Sequence, residues 1–304
     1  MSQTPVIIEA AINGGTTKAR NPHVPLTPEE IAKDSLACIE AGAAIIHSHL
    51  ESFDLNGKAA AERYLQGWRS TVRARPDAIF YATGATGDTI EHRCAHTEAL
   101  AESGAMRMGF IDPGSVNFGT FRDDGMPGKM NTIYANPFPE IDYSFRLLDR
   151  CKLGPSIAIY EPSFLRATLM YHRAGTLPRG AFVKFYMSGD YNFIDGKKGQ
   201  QFWGLQPTRK GLETYIELLG DSGLPWAVAV MGGDLIATGM AQMALERGGH
   251  IRLGLEDYAS ERNPSNVELI AEVVALAKKA GRPVADPETA AKILDLPRKS
   301  ASLN

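Results

Sequence analysis

The chain has 304 residues, of which 44% are hydrophobic and 22% are charged, so it is long enough to bury a substantial core as one large domain. A formal net charge of −3 gives no electrostatic reason to expect nucleic acid or an anionic membrane as a partner. No apolar run approaches the roughly 20 residues of a membrane-spanning helix, and no signal peptide is recognisable, so we expect a cytoplasmic protein.

Strand-like and helix-like segments alternate along the chain. Short apolar runs bounded by turn residues predict eight strands, at 6–12, 43–50, 78–83, 105–111, 156–161, 181–186, 226–230 and 250–255. Helical periodicity predicts eight helices after them, at 27–41, 59–73, 89–102, 142–152, 163–173, 208–219, 235–247 and 264–279. Thr27, Pro28 and Glu30 form a capping box with proline at the first helical position, which marks the start of the first helix.

Eight strand–helix units of about 30 residues each predict a TIM barrel, an α/β fold that forms a single domain over residues 1–304. A doubly wound open sheet is the alternative. The stretch 286–296 predicts an extra C-terminal helix packed outside the barrel. The long segment 112–139 exceeds a simple connector and is a candidate for substrate contacts or subunit packing, and a second long loop covers 187–206.

Two histidines end the second predicted strand. His47 and His49 are two residues apart, so in a strand both side chains point to the same face. Histidine on an apolar strand is often only a core residue, but Glu256 follows the last predicted strand. Barrel closure would place both strands beside the first one. Two imidazoles and a carboxylate are the ligands of a catalytic zinc ion, and Fe²⁺ or Mn²⁺ could use the same set.

Further polar residues follow other strands, where TIM barrels carry their active sites. Asp257 is a candidate base beside Arg252, although a helix-terminal charge for Asp257 or a structural salt bridge for Arg252 is the alternative. Gly232 and Gly233 could form a simple turn or an anion-binding cradle at a helix N-terminus. The remaining polar strand ends include Asn13, Thr83, Asp112, Ser115 and Glu161.

Segments 21–31, 41–49, 114–119 and 248–257 resemble the β-keto acid cleavage enzymes, and the likeness runs nearly from end to end. The resemblance implies a zinc-dependent TIM barrel, commonly a homotetramer. It also implies a transferase reaction in which a β-keto acid and acetyl-CoA give acetoacetate and a new acyl-CoA through Claisen and retro-Claisen steps. The partners would therefore be small molecules and copies of this chain, with neither nucleic acid nor membrane.

The resemblance also assigns roles to residues of this chain. His47, His49 and Glu256 match the zinc ligands, while Asp257 and Arg252 match a pair that activates the keto acid. We take five residues as candidates for substrate binding: Glu9, Asn13, Thr83, Ser115 and Glu161. Candidates for contacts with CoA are Gly232 and Gly233, with the loop residues Arg122, Lys129, Lys197 and Lys198 as further possibilities for its phosphates.

Several positions depart from the family pattern. Glu51 stands where an arginine is usual, Ala82 replaces a serine, Phe110 replaces a threonine, and Asp234 replaces an arginine after Gly233. A glutamate common after the first strand is also missing, which is why Glu9 enters as a candidate. These changes favour the same reaction on a different β-keto acid. The alternatives are a metal-dependent keto-acid lyase or hydrolase that does not use CoA, and a barrel that binds metal without catalysis.

Overall fold

Ten strands occur in a computed structural model that describes residues 4–119, 121–122, 124–128, 133–192, 196–199 and 201–298. They are β1 (Ile8–Ala11), β2 (Ile45–Ser48), β3 (Ile79–Ala82), β4 (Met108–Ile111), β5 (Val116–Asn117), β6 (Ile133–Tyr134), β7 (Gly154–Ile159), β8 (Phe182–Ser188), β9 (Trp226–Met231) and β10 (His250–Leu253). Eight of them form one parallel sheet, while β5 and β6 form a separate antiparallel hairpin within the predicted 112–139 segment.

The parallel sheet closes on itself. Its strand order is β3-β2-β1-β10-β9-β8-β7-β4, so β3 and β4 are the two ends. A parallel bridge between Phe80 and Met106 joins those ends, and the Arg107 amide donates to the Phe80 carbonyl at 3.0 Å. The structure therefore confirms the TIM barrel and excludes the open doubly wound sheet. In this order β1 lies between β2 and β10, as the metal-site prediction requires.

The helices are α1 (Pro28–Ala41), α2 (Gly57–Ala74), α3 (Ile90–Arg93), α4 (Thr97–Glu102), α5 (Phe138–Arg150), α6 (Pro162–Arg173), α7 (Arg209–Leu219), α8 (Met240–Glu246), α9 (Asn266–Lys279) and α10 (Pro287–Ile293). The predicted capping box of α1 is present. The single helix predicted over 89–102 is divided into α3 and α4. Between these two helices the His96 Nε2 atom lies 2.8 Å from the Thr83 carbonyl.

The core lies between the barrel wall and the helices, and it includes the C-terminal segment. Leu296, just after α10, is buried and packs against Gly154 and Gly180 at the amino-terminal ends of β7 and β8. The loops that follow the strands form the other end of the barrel. Within the described ranges, no helix combines the length and the apolar character needed to cross a membrane. Lys129 lies outside the described residues.

Candidate metal centre and active site

Three side chains meet at the carboxyl ends of β2 and β10. Glu256 Oε2 lies 3.2 Å from His47 Nε2, and Glu256 Oε1 lies 3.4 Å from His49 Nε2. The two Nε2 atoms are 3.0 Å apart, and one donor atom from each of the three residues lies within 4.8 Å of the others. The two histidines and the glutamate that the sequence singled out are therefore brought together.

Neighbouring groups orient the two imidazoles. His47 Nδ1 lies 3.2 Å from the Tyr81 carbonyl, so it carries the proton and leaves the Nε2 lone pair facing Glu256. Asn13 holds the His49 backbone from both sides, because its Oδ1 accepts from the His49 amide at 2.8 Å and its Nδ2 donates to the His49 carbonyl at 3.0 Å. Asn13 therefore fixes a histidine that faces the site.

The protonation states also suit a metal ion. Burial holds the pKa of His47 well below its usual value, so the imidazole is neutral at pH 7. Burial alone would raise the pKa of Glu256, but His47, His49 and Arg252 outweigh it and hold that pKa well below normal. Among the described residues, neither His49 Nδ1 nor Glu256 Oε2 has a hydrogen-bond partner although both are buried. Two imidazoles, of which that of His47 is neutral, together with an ionised carboxylate fit a divalent cation of the zinc class.

Arg252 and Asp257 lie beside this centre as a buried ion pair. Arg252 Nε donates to Asp257 Oδ2 at 2.9 Å, and Nη2 donates to Asp257 Oδ1 at 3.3 Å. Arg252 Nη2 also lies 3.1 Å from Glu256 Oε1, which connects the pair to the metal ligands. Burial raises the pKa of Asp257 to about 6, against the opposing effect of Arg252. A carboxylate with a pKa close to neutrality is suited to proton transfer.

A buried polar layer lies on the other side of Arg252. Arg252 Nη1 donates to Glu9 Oε1 at 2.6 Å and to the Tyr81 hydroxyl at 2.7 Å. Lys184 donates to the same two groups and to Ser156. Sequence reasoning missed Lys184 and Tyr81. The signal for Lys184 was available, because a lone lysine in the apolar run 181–186 must be paired if that strand is buried.

The structure gives protein partners to the other predicted substrate-binding residues. Glu161 Oε1 accepts from the Gly204 amide at 2.8 Å, and Ser115 Oγ accepts from the Asn136 amide at 2.9 Å on the exposed surface. The Thr83 carbonyl accepts from His96, while its side chain is partly exposed at the end of β3. Glu9 has no exposed surface, so it lies behind Arg252 and not at the mouth of the barrel.

The predicted anion cradle at Gly232 and Gly233 lacks the helix it requires. The amide of Gly232 donates to the Asp257 carbonyl at 2.7 Å, and the following helix begins only at Met240. The turn between them is capped by Asp234, whose Oδ1 accepts from the amides at positions 236 and 237 at 2.9 and 3.0 Å. This carboxylate already occupies the amides on which an anionic ligand would depend.

Asp112 directly follows β4, and sequence reasoning noted this residue without assigning it a role. Its carboxylate accepts a hydrogen bond from the Tyr134 hydroxyl of β6. Burial raises the pKa of Asp112 to about 6, although Tyr134 lowers it. Phe118 packs on Tyr134, Tyr160 and Trp203 with ring centroids 5.2 to 5.6 Å apart. The hairpin thus brings an aromatic cluster and a carboxylate to this side of the barrel.

Comparisons with known proteins agree with this geometry. The sequence model of the beta-keto acid cleavage enzyme family matches residues 5–296. A 3-keto-5-aminohexanoate cleavage enzyme from Acetoanaerobium sticklandii is 31% identical, over 96% of this chain and 98% of the relative. A 3-oxoadipate:acetyl-CoA acetyltransferase from Cupriavidus necator is 28% identical, over 96% of this chain and 95% of the relative.

Solved structures resemble the chain in fold. ObcA in a binary complex with oxaloacetate gives a TM-score of 0.64 at 17% identity and covers 92% of this chain and 69% of that one. A 3-dehydroquinate dehydratase from Geobacillus kaustophilus gives 0.53 at 12% identity and covers 92% and 93% of the two chains. At such identities the likeness supports the barrel and carries no functional conclusion.

Proposed function

Since this chain belongs to the beta-keto acid cleavage enzyme family, we propose that it converts a β-keto acid and acetyl-CoA into acetoacetate and a new acyl-CoA, with a zinc ion held by His47, His49 and Glu256. The observation that carries the proposal is the convergence of these three ligands with Arg252 and Asp257 at one point of the barrel mouth. The Cupriavidus relative is named a 3-oxoadipate:acetyl-CoA acetyltransferase, which supports acetyl-CoA as the co-substrate.

The residues divide the chemistry between them. Asp257 takes a proton from C2 of the keto acid, and Arg252 holds the carboxylate of Asp257 for that transfer through two hydrogen bonds. A bound zinc ion would supply a Lewis acid that stabilises negative charge on the 3-oxo group. The C2 carbanion attacks the thioester carbon of acetyl-CoA and displaces CoA thiolate. The thiolate then attacks the original keto carbon, which breaks the bond of that carbon to C2 and releases acyl-CoA and the carbanion of acetoacetate. Protonated Asp257 returns its proton to this carbanion, which gives acetoacetate and restores the carboxylate.

The substrate contacts follow from exposure. Thr83 is partly exposed at the end of β3, so we propose that it contacts the keto acid. Asn13 acts through His49, and Glu9 acts through Arg252, because both are engaged by these residues and are buried. Glu161 and Ser115 hold loops at the mouth. We also propose that the protein forms a homotetramer and is located in the cytoplasm.

Elemental analysis with an activity assay tests this function. We expect close to one zinc per wild-type chain and loss of zinc in His47→Ala. His96→Ala is the matched control, because His96 is equally buried but its Nε2 bonds a backbone carbonyl outside the ligand set. Zinc retained in His47→Ala, or lost equally in both variants, would contradict the metal site.

The same preparations are then given a panel of β-keto acids with and without acetyl-CoA. Acetoacetate that appears only with acetyl-CoA supports the transferase. Consumption of keto acid without acetyl-CoA would instead identify the CoA-independent lyase or hydrolase. We retain this alternative because the Asp234 carboxylate occupies the amides at positions 236 and 237, on which an anionic ligand would depend.

A further inference from the structure

Four polar side chains form a buried layer below Arg252: Glu9, Tyr81, Ser156 and Lys184, each at most 2% exposed. Lys184 Nζ donates to Glu9 Oε1 at 3.1 Å, to the Tyr81 hydroxyl at 2.7 Å and to Ser156 Oγ. All three ammonium protons are therefore used. These side chains have almost no exposed surface from which to bind substrate, so any part that the layer takes in the reaction must act through a neighbouring residue.

Tyr81 connects this layer to both halves of the site. Its hydroxyl donates to Glu9 Oε1 at 2.5 Å and accepts from Arg252 Nη1 at 2.7 Å. Its ring stacks on His47 with centroids 4.2 Å apart, and its carbonyl faces His47 Nδ1. The same residue therefore contacts a metal ligand and the arginine of the ion pair.

Arg252 is held from two opposite sides. Its Nη1 is fixed by Glu9 and Tyr81, whereas its Nε and Nη2 hold Asp257. In the described part of the chain, the side-chain hydrogen bonds of Asp257 come from Arg252 alone. The position of Asp257 therefore depends on Arg252, and the position of Arg252 depends on the layer.

The charged groups of this layer lose their hydration when they are buried, and filling the same space does not require charged groups. Two cations, Lys184 and Arg252, share the Glu9 carboxylate in a fully buried position. Burial would raise the pKa of Glu9, but the two cations outweigh it and lower that pKa to about 2, so the carboxylate stays ionised. Apolar residues of similar volume usually fill such a space at no loss of stability. A charged layer at this place is better explained by the fixed geometry that it imposes.

We propose that Glu9, Tyr81 and Lys184 are positioning residues, which fix the Arg252 guanidinium from below and thereby hold Asp257 in line with the metal ligands. The inference rests on the proposed function, because it assigns the layer to the reaction of that site. Its effect belongs to the chemical step, since none of the three side chains reaches the barrel mouth.

Tyr81→Phe is the sharpest variant, because it keeps the ring stack on His47 and removes only the hydroxyl. Its matched control is Tyr215→Phe, which removes another buried hydroxyl; that hydroxyl donates to the Tyr160 carbonyl from α7, outside the barrel wall. For Tyr81→Phe we expect kcat to fall about 10- to 100-fold, with the zinc content and the KM of the keto acid unchanged. Tyr215→Phe should keep the wild-type kcat.

A second variant and a second measurement keep the proposal testable if Tyr81→Phe folds poorly or the reaction differs. Ser156→Ala removes one acceptor of Lys184 and should lower kcat about threefold. In protein labelled with ¹⁵N-arginine, the Nε–H of Arg252, identified by its loss in Arg252→Lys, should exchange with solvent faster in Tyr81→Phe than in Tyr215→Phe.

The outcomes separate the two proposals. Equal kcat in Tyr81→Phe and Tyr215→Phe, or equal exchange of the Arg252 Nε–H in both, would overturn the positioning role. If the wild type forms no acetoacetate from any keto acid, the proposed function fails, while faster exchange confined to Tyr81→Phe would still support the layer as the group that fixes Arg252.

Discussion

A methyl group at Gly14 should damage the metal centre from outside the ligand set. Gly14 has a φ of +54°, and a β-carbon there would lie 2.8 Å from Cβ and 3.1 Å from Cα of Glu256, and closer still to Cγ. Cα and Cβ of Glu256 do not move when the side chain rotates, so rotation of the carboxylate cannot relieve the clash. The positive φ costs a non-glycine residue about 1–2 kcal/mol, and overpacking adds roughly 1–3 kcal/mol.

Part of this strain should be released by displacement of Glu256, which would weaken zinc binding about 10- to 100-fold, the usual effect of disturbing a ligand's support. Gly15→Ala is the control, because Gly15 is exposed and, apart from its chain neighbours, no atom of the described residues lies within 4 Å of its β-carbon position. Competition with a chelator measures the zinc Kd, and urea unfolding with excess EDTA measures stability without the contribution of bound metal. Wild-type zinc affinity in Gly14→Ala would refute the assignment of Glu256 as a ligand in this geometry.

Three further predictions concern the loops around the mouth. Burial raises the pKa of Asp112 from 3.8 to about 6. The contribution of protonated Asp112 to stability is therefore present below the unfolded pKa and is lost as the pH rises through 6. In urea unfolding with EDTA, Asp112→Asn should be more stable than wild type at pH 7, by on the order of 2 kcal/mol, but not at pH 4. Asp234→Ala removes a cap from two amides and should cost about 1 kcal/mol in urea unfolding without loss of zinc, whereas an unchanged free energy of unfolding would contradict the cap. Ile133 is 68% exposed on the hairpin, and if the proposed tetramer packs there, Ile133→Asp should sediment as a smaller species; an unchanged tetramer would place the interface elsewhere.

The barrel could be predicted because its signals are local and repeated. Apolar runs bounded by turn residues located all eight barrel strands, and capping residues located the start of α1. The prediction was wrong where a helix depends on tertiary contacts. The segment 235–247 has helical periodicity, but Asp234 caps a separate turn first, and Gly239 with a φ of +76° precedes the helix that begins at Met240.

The histidine pair of the candidate metal site could be predicted from local spacing, whereas the residues that support this pair could not. His47 and His49 share a face by spacing alone. Tyr81, which orients His47 and contacts Arg252, sits in an ordinary apolar strand, and only the register that pairs His47 with Tyr81 reveals its role. Lys184 lies 175 residues from its partner Glu9 in the chain. Contacts of this kind have no pattern within either segment, so one sequence without its fold cannot supply them.

Glu256 reaches the site by a route that strand spacing does not describe. The spacing of four residues would put Arg252 and Glu256 on one face if the strand predicted over 250–255 continued to Glu256, but β10 ends at Leu253. Gly254 adopts a φ of +142°, and a β-carbon there would lie 2.9 Å from the backbone nitrogen of Ala11 and closer to its carbonyl. The chain can therefore fold over β1, where the Glu256 amide donates to the Ala11 carbonyl at 3.1 Å. Because Ala11 pairs in register with His47, this turn places the carboxylate beside the histidines. The spacing predicted the correct contact, and a backbone conformation available to glycine is what produces it.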